Sequence, residues 1–144
     1  MTLYSDTSTW ISDEHKLFTD SVSKFYASEM IPNIENWNEA GIVERKFWHK
    51  AGDAGVMAGS VPEEFGGAGG DIGFDSIALY EQAKTGDGSW GYGIQSIVIH
   101  YLIAYGNQEQ KARWLPKQGR GALLEVGFQK PYVCADVFSS RRTF

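Results

Sequence analysis

The sequence predicts an all-α fold, a helical bundle, for residues 1–117 of its 144 residues. Apolar side chains recur every three or four residues in several segments, which is the spacing of an amphipathic helix. Twelve of the 17 glycines fall between Gly52 and Gly93, so turns are concentrated in the middle of the chain. Nothing before residue 118 alternates with the period of two that marks a half-buried strand. We expect helices joined by glycine turns, then a short irregular or strand-forming C-terminal tail.

The first predicted helix starts at Ser12, a residue type that favours the N-cap position. Its apolar face is formed by Phe18, Val22, Phe25, Tyr26 and Met30. Pro32 lacks the backbone N–H that a helix interior requires, so it ends or bends this helix. Residues 33–40 predict a short second helix, which Gly41 closes.

The middle of the chain predicts two helices on either side of a long loop. The first covers residues 44–54, with Gly55 as its C-terminal stop. Residues 56–73 are predicted to be a loop, because a proline and several glycines would interrupt any regular element. The next helix covers residues 74–85, with Ile77, Tyr80, Glu81 and Lys84 along one stripe.

The most apolar segment, residues 92–105, predicts a helix that is buried between others. Its apolar residues cover much of the circumference: Ile94, Ile97, Val98, Tyr101, Leu102 and Tyr105. Gly106 stops this helix. Asn107 with Gln110 three residues later forms a capping-box pattern, which predicts a last short helix that ends at Leu115, before Pro116.

Composition and charge limit the function classes. The hydrophobic fraction of 42% and the charged fraction of 22% are typical of a folded domain. The net charge of −5 has the wrong sign for a general nucleic-acid or anionic-membrane binder. The single cysteine, Cys134, excludes an intramolecular disulfide, and the sequence shows neither a signal-peptide pattern nor a membrane span. We expect a soluble, cytoplasmic protein.

No catalytic centre follows from the residues alone. The G-x-G-x-x-G pattern at 86–91 follows a predicted helix rather than a strand, so it is interpreted as a helix–helix turn and not a nucleotide loop. His15, His49 and His100 are too far apart for a local zinc motif. We expect the first two at the surface and His100 as a partnered histidine within its apolar helix.

Three segments, in order, carry a family resemblance. They are residues 48–57 (W-H-K-A-G-D-A-G-V-M), residues 61–71 (V-P-E-E-F-G-G-A-G-G-D) and residues 105–116 (Y-G-N-Q-E-Q-K-A-R-W-L-P). Together they closely resemble the N-terminal helical domain of the flavin-dependent acyl-CoA dehydrogenases over residues 8–117. Residues 97–104 are most similar to the long-chain members.

The resemblance implies a three-domain, usually tetrameric enzyme in which FAD lies between the middle and C-terminal domains. A glutamate of the C-terminal domain removes the α-proton of the acyl-CoA thioester while a hydride passes to the flavin. The N-terminal helices supply a wall of the acyl-chain cavity, and the matching positions here are Gly93, Ser96 and Ile97. Small residues at Gly91 and Gly93 would leave depth for a long chain; tight helix packing through glycine is the alternative.

The chain departs from the family after residue 117. Residues 129–136 (Q-K-P-Y-V-C-A-D) stand where the family has T-E-P-G-x-G-S-D, the loop that approaches FAD and thioester. We divide the chain into a helical domain, 1–117, with a net charge of −7, and a divergent tail, 118–144, with +2, at the position where the middle β-domain starts. An altered reading frame, a degenerate remnant and a genuine end all remain open for this tail.

The expected function is therefore that of a fragment of an acyl-CoA dehydrogenase, inactive alone and without retained FAD. We expect it to form homo-oligomers or to associate with homologous subunits. Two alternatives stay open: a non-catalytic helical interaction module, and a fragment of a flavin monooxygenase or nitroalkane oxidase relative.

Overall fold

The computed structural model describes residues 9–121, which form an all-α domain without strands in that range. The α-helices are α1 (Asp13–Phe25), α2 (Ile34–Ala40), α3 (Arg45–Asp53), α4 (Ile72–Lys84), α5 (Tyr92–Tyr105) and α6 (Gln108–Gln118). The predicted fold class is confirmed for this part. The predicted irregular or strand-forming tail lies outside the described residues.

The first helix begins where the sequence predicts it. The Ser12 hydroxyl accepts a hydrogen bond from the His15 backbone N–H at 3.2 Å, and the His15 ring accepts one from the Ser12 N–H at 3.1 Å. These two bonds satisfy amide groups that have no partner within the helix. A π-helical turn (Tyr26–Met30) and a 3-10 turn (Ile31–Asn33) then lead into α2. Pro32 therefore bends the helical path instead of ending it.

Two helix boundaries near the long loop follow from local caps. Asp71 caps α4 by accepting a 2.7 Å hydrogen bond from the Gly73 N–H, and for this reason α4 begins at Ile72, two residues before the predicted start. Gly41 ends α2 in the left-handed conformation, at φ 67°, as predicted. The predicted loop also contains one 3-10 turn, Glu63–Phe65.

The prediction that α6 ends before Pro116 is wrong. The helix continues to Gln118, with Pro116 in its last turns. Proline costs α6 one intrahelical hydrogen bond, but the Gly119 N–H still bonds to the Leu115 carbonyl at 3.3 Å. Leu115 and Gln118 are both completely buried, so their packing holds the final turn in place.

Among the described residues the core has two parts, and both contact α5 or the turn before it. The larger is centred on the indole ring of Trp90, which four aromatic rings surround at centroid distances of 5.1–5.6 Å. The four are Tyr26, Phe47, Trp48 and Tyr92. The smaller part joins the long loop to α5 and α6 through Val61, Ile99, Leu102 and Leu115.

Within the described residues α5 is buried on one side only, although its sequence is apolar over much of its circumference. Val98, Ile99 and Leu102 are buried, whereas Ile94, Ile97, Tyr101 and Tyr105 are exposed. Within residues 9–121, α4, the long loop and α6 pack against one side of α5. An apolar helix that lacks neighbours on its second side keeps that side in solvent.

Candidate functional site

Helix α5 carries Gly93, Ser96 and Ile97, the residues that the family resemblance assigns to the acyl-chain wall, and buried side chains hold this helix against α4 and α6. Asp75 of α4 is buried and accepts two hydrogen bonds from α5. The Tyr92 hydroxyl donates to its Oδ1 at 2.7 Å, and Nε2 of His100 donates to its Oδ2 at 2.9 Å. Burial, followed by the nearby carboxylate of Asp75, raises the pKa of Tyr92 well above its ordinary value. Tyr92 therefore keeps its proton and acts as a donor.

A second buried pair joins α5 to the end of α6. The Gln95 side-chain amide donates to the Oε1 atom of Gln118, and both side chains are almost fully buried. The Nε2 atom of Gln118 has no hydrogen-bond partner among the described residues. The bond limits the desolvation cost of the two atoms that it joins. It also fixes the rotation of α5 relative to α6.

The V-P-E-E-F-G-G segment is a compact loop that places Val61 against α5. The Gly69 N–H donates to the Val61 carbonyl at 2.8 Å, and the Gly70 N–H donates to the Gly59 carbonyl at 2.9 Å. At Gly67 a Cβ would lie only 2.0 Å from the Val61 carbonyl oxygen, so this close approach requires glycine. The motif therefore has a structural role in these contacts.

Two of the three predicted wall residues share the exposed side of α5. Ile97 is 56% exposed, and Gly93, one turn earlier, is half-buried. Ser96 is only 6% exposed and faces inward. A Cβ at Gly93 would meet only the Leu79 side chain, at 3.3 Å, whereas a Cβ at Gly91 would meet nothing within 4 Å. Tight packing through glycine therefore does not explain Gly91, and it explains Gly93 only in part.

The glycine turn before α5 joins two helices, as the sequence predicts. It lies between α4 and α5, and Gly86 adopts a positive φ of 76°. The Asp87 carboxylate accepts hydrogen bonds from the Ser89 N–H at 3.1 Å and the Ser89 hydroxyl at 2.6 Å. The carboxylate thus closes a local turn, and an acidic group here would repel a pyrophosphate.

The three histidines have different surroundings. His15 is buried, so its predicted surface position is wrong: its Nε2 donates to Asp71 Oδ1 at 3.0 Å, and its ring packs against Phe74. This hydrogen bond, with that of the Gly73 N–H, lowers the pKa of Asp71. His49 is exposed and His100 is partnered, as predicted. Residues 9–121 contain no group of three metal-ligand side chains placed to hold an ion.

The described helices include none that is both long and apolar enough to cross a membrane.

Comparison with known families gives a direct result: the family model "Acyl-CoA dehydrogenase, N-terminal domain" matches residues 12–122. The chain belongs to this family. The resemblance carried by the three sequence segments is therefore confirmed.

Similar proteins of known name are acyl-CoA and isovaleryl-CoA dehydrogenases, which is consistent with this family assignment. Long-chain specific acyl-CoA dehydrogenase from Rattus norvegicus is 38% identical over 114 residues, which are 78% of this chain and 26% of the relative. Isovaleryl-CoA dehydrogenase from Bos taurus is 27% identical over 138 residues, or 91% of this chain and 32% of the relative. The crystal structure of an acyl-CoA dehydrogenase from Geobacillus kaustophilus covers 80% of this chain with a TM-score of 0.74 and 33% identity.

The chain spans about a quarter to a third of the length of these relatives. The family assignment therefore applies to the helical domain, and the activity of the whole protein is a matter for proposal.

Sequence reasoning missed the bonds from Tyr92 and His100 to Asp75. No local pattern marks them, because Asp75 is 17 and 25 residues away from these partners.

Proposed function

We propose that this chain is the N-terminal helical part of a flavin-dependent acyl-CoA dehydrogenase, in which α5 forms a wall of the acyl-chain cavity. The reaction is the α,β-dehydrogenation of an acyl-CoA thioester. The family match over residues 12–122 supports this proposal most directly. The exposed, apolar side of α5 at Gly93 and Ile97 supplies a surface of the right chemistry for a hydrocarbon chain. Ser96 lies behind that surface.

We also propose that residues 9–121 do not form a flavin site by themselves. The exposed side of α5 is apolar, and no side chain on it is charged to bind a phosphate. Among the described residues, the buried polar atoms that lack partners belong to Trp37, Trp90 and Gln118, whose side chains are enclosed by the protein. FAD, which would accept the hydride, therefore needs residues beyond 9–121. We propose that the chain alone does not retain FAD and has no dehydrogenase activity.

A fusion protein tests the proposed function. Residues 1–121 of this chain replace the matching N-terminal part of the Geobacillus kaustophilus acyl-CoA dehydrogenase, and acyl-CoA-dependent dye reduction is measured. The fusion should bind FAD and oxidise acyl-CoA, whereas the purified 144-residue chain should be colourless and inactive. A folded, flavin-loaded fusion without turnover would contradict the proposed role, and turnover by the 144-residue chain would contradict its proposed inactivity.

A second candidate function is a non-catalytic interaction module. The exposed apolar side of α5 favours it, since such surfaces commonly bind other proteins. Its partner would be another copy of this chain or a homologous subunit. Co-expression with a full-length homologue, followed by a pull-down, tests it; a homologue that is never recovered with the chain would contradict it.

We also propose that the chain acts in the cytoplasm, a reducing compartment that suits its single cysteine. The rat and bovine relatives are named as mitochondrial proteins. Cell fractionation separates the two locations, and recovery of the chain with mitochondria would contradict a cytoplasmic location.

A further inference from the structure

The turn between α4 and α5 contains the only Asp-Gly pair of the sequence, Asp87–Gly88. In such a pair the backbone nitrogen of the glycine can attack the side-chain carboxyl carbon of the aspartate, because glycine has no Cβ to obstruct the approach. The pair lies outside the helices, since α4 ends at Lys84 and α5 begins at Tyr92. Its backbone is therefore not held in a helical hydrogen-bond ladder.

The backbone N–H of Gly88 is free to react. Among the described residues it makes no hydrogen bond, whereas the Asp87 N–H donates to the Thr85 hydroxyl at 3.3 Å and the Ser89 N–H donates to the Asp87 carboxylate at 3.1 Å. Gly88 is exposed, and a Cβ on it would meet no atom within 4 Å. Water and base therefore reach the amide proton that the nitrogen must lose before it attacks.

Two hydrogen bonds fold the Asp87 carboxylate back along the chain. The Ser89 N–H donates to Oδ2 at 3.1 Å, and the Ser89 hydroxyl donates to the same oxygen at 2.6 Å. Because Ser89 directly follows Gly88, these bonds hold the carboxyl group beside the backbone of Gly88. The two donors also draw electron density from the carboxyl group, which favours attack on its carbon.

We propose that Asp87–Gly88 is a site of spontaneous isoaspartate formation in the folded chain. The Gly88 nitrogen loses its proton and bonds to the side-chain carboxyl carbon of Asp87. One C–O bond of that carboxyl group breaks, and the oxygen leaves as water with this proton and one from the solvent. Water then opens the resulting succinimide ring at the Asp87 α-carbonyl carbon. The main chain now runs through the former side-chain carbonyl, the α-carboxylate is free, and no oxidant or cofactor is consumed.

The product has a chemically defined partner. A free isoaspartyl α-carboxylate is the group that isoaspartyl methyltransferases esterify with the methyl group of S-adenosylmethionine, so the aged chain becomes a substrate for such an enzyme. This modification goes beyond the proposed function and does not depend on it.

Isoaspartate would also change the turn that leads into α5. The main chain gains one carbon at residue 87, and the Ser89 donors lose the carboxylate that they bind. The Gln82 side-chain amide donates to the Asp87 carbonyl at 3.4 Å and to the Trp90 carbonyl at 2.9 Å, so it holds both ends of this turn. Trp90 is completely buried, and a longer turn therefore disturbs the packing of the larger core.

Ageing of the folded 144-residue chain at neutral pH and physiological temperature tests the proposal. Trypsin then releases residues 85–111, in which Asp87 is the only aspartate. Radiolabelled methyl transfer from S-adenosylmethionine by a purified isoaspartyl methyltransferase measures the isoaspartate in this peptide. The label should accumulate in the wild type and be lost in Gly88→Ala, whose added methyl group obstructs the nitrogen but meets no neighbouring atom within 4 Å. Gly91→Ala is the matched control, because its Cβ also lies in open space and the Asp-Gly pair is intact.

Each outcome bears on the proposal. Labelled peptide from the wild type and Gly91→Ala, with loss of the label in Gly88→Ala, would support it. An unlabelled wild type, or equal labelling of Gly88→Ala, would overturn it. Label that forms only when the chain is aged in urea would also overturn it, because the folded turn would then protect the pair. Circular dichroism verifies that the aged chains are helical. Because neither acyl-CoA nor flavin is present, failure of the proposed function cannot produce any of these results.

Discussion

The hydrogen bond from Tyr92 to Asp75 is predicted to stabilise the domain strongly. Tyr92→Phe removes only the hydroxyl group, which donates to Asp75 Oδ1 at 2.7 Å. Both residues are buried, so the carboxyl oxygen that loses its donor cannot be hydrated without opening the contact between α4 and α5. Leaving a buried acceptor unpaired costs about 1–3 kcal/mol, and a bond to a carboxylate lies in the upper part of that range. We expect Tyr92→Phe to lower the free energy of unfolding by about 2–3 kcal/mol.

Urea unfolding, followed by tryptophan fluorescence, measures this loss. Trp90 reports on the region, because its ring lies 5.1 Å from that of Tyr92. The protein is kept dilute so that it is monomeric. The control is Tyr101→Phe, which removes an exposed hydroxyl from the same helix and should change the free energy by less than about 0.5 kcal/mol. A Tyr92→Phe variant as stable as this control would refute the reasoning.

A double-mutant cycle separates the hydrogen bond from other effects of the substitution. Asp75→Ala removes the acceptor for both Tyr92 and His100. If Tyr92 acts through Asp75, the two substitutions are not additive, and Tyr92→Phe costs at least about 1 kcal/mol less in the Asp75→Ala background. Additive losses would show that the Tyr92 hydroxyl acts mainly through another contact, such as the Val56 carbonyl at 3.3 Å.

Three further predictions concern glycine and pH. Gly67→Ala should lower the free energy of unfolding, measured in urea, by more than about 2 kcal/mol, because the added Cβ would meet the Val61 carbonyl. Gly91→Ala is the control and should change this free energy little, because the space around Gly91 is open. The lowered pKa of Asp71 gives stability that is present above about pH 4 and lost as the pH falls further, so Asp71→Asn should flatten the acid limb of a thermal-melting profile. The raised pKa of Tyr92 gives stability that is present below about pH 10 and lost as the pH rises above it, so the free energy of unfolding of Tyr92→Phe should fall less steeply above about pH 10 than that of the wild type.

Local patterns predicted the helices well, because caps are short-range signals. Ser12, Gly41 and Asn107 each bond within a few residues, and the structure confirms all three. The prediction that α6 ends before Pro116 is wrong because the effect of this proline on the helix depends on tertiary packing. Leu115 and Gln118, both completely buried, hold the last turn of α6. A helix-breaking propensity was outweighed by burial that the local sequence does not show.

The surroundings of the site depended on distant partners and were harder to predict. His15 becomes buried through a bond to Asp71, 56 residues away. The apolar sequence of α5 predicts a buried helix, but it does not say which side finds a neighbour within the described part of the chain. The family resemblance identified Gly93, Ser96 and Ile97, and the structure then separates the inward Ser96 from the two outer residues.

The most direct test of the proposed acyl wall is the chain-length preference of the fusion protein described above. Gly93→Leu would place a side chain into the proposed cavity, and the exposed Leu79 side chain can move to accommodate it. Each methylene excluded from an apolar site costs about 0.8 kcal/mol. The ratio of kcat/KM for palmitoyl-CoA to that for butyryl-CoA should therefore fall at least about tenfold in Gly93→Leu, while Gly91→Ala should leave it unchanged. An unchanged ratio in a folded, active Gly93→Leu fusion would contradict the assignment of α5 as the wall of the acyl-chain cavity.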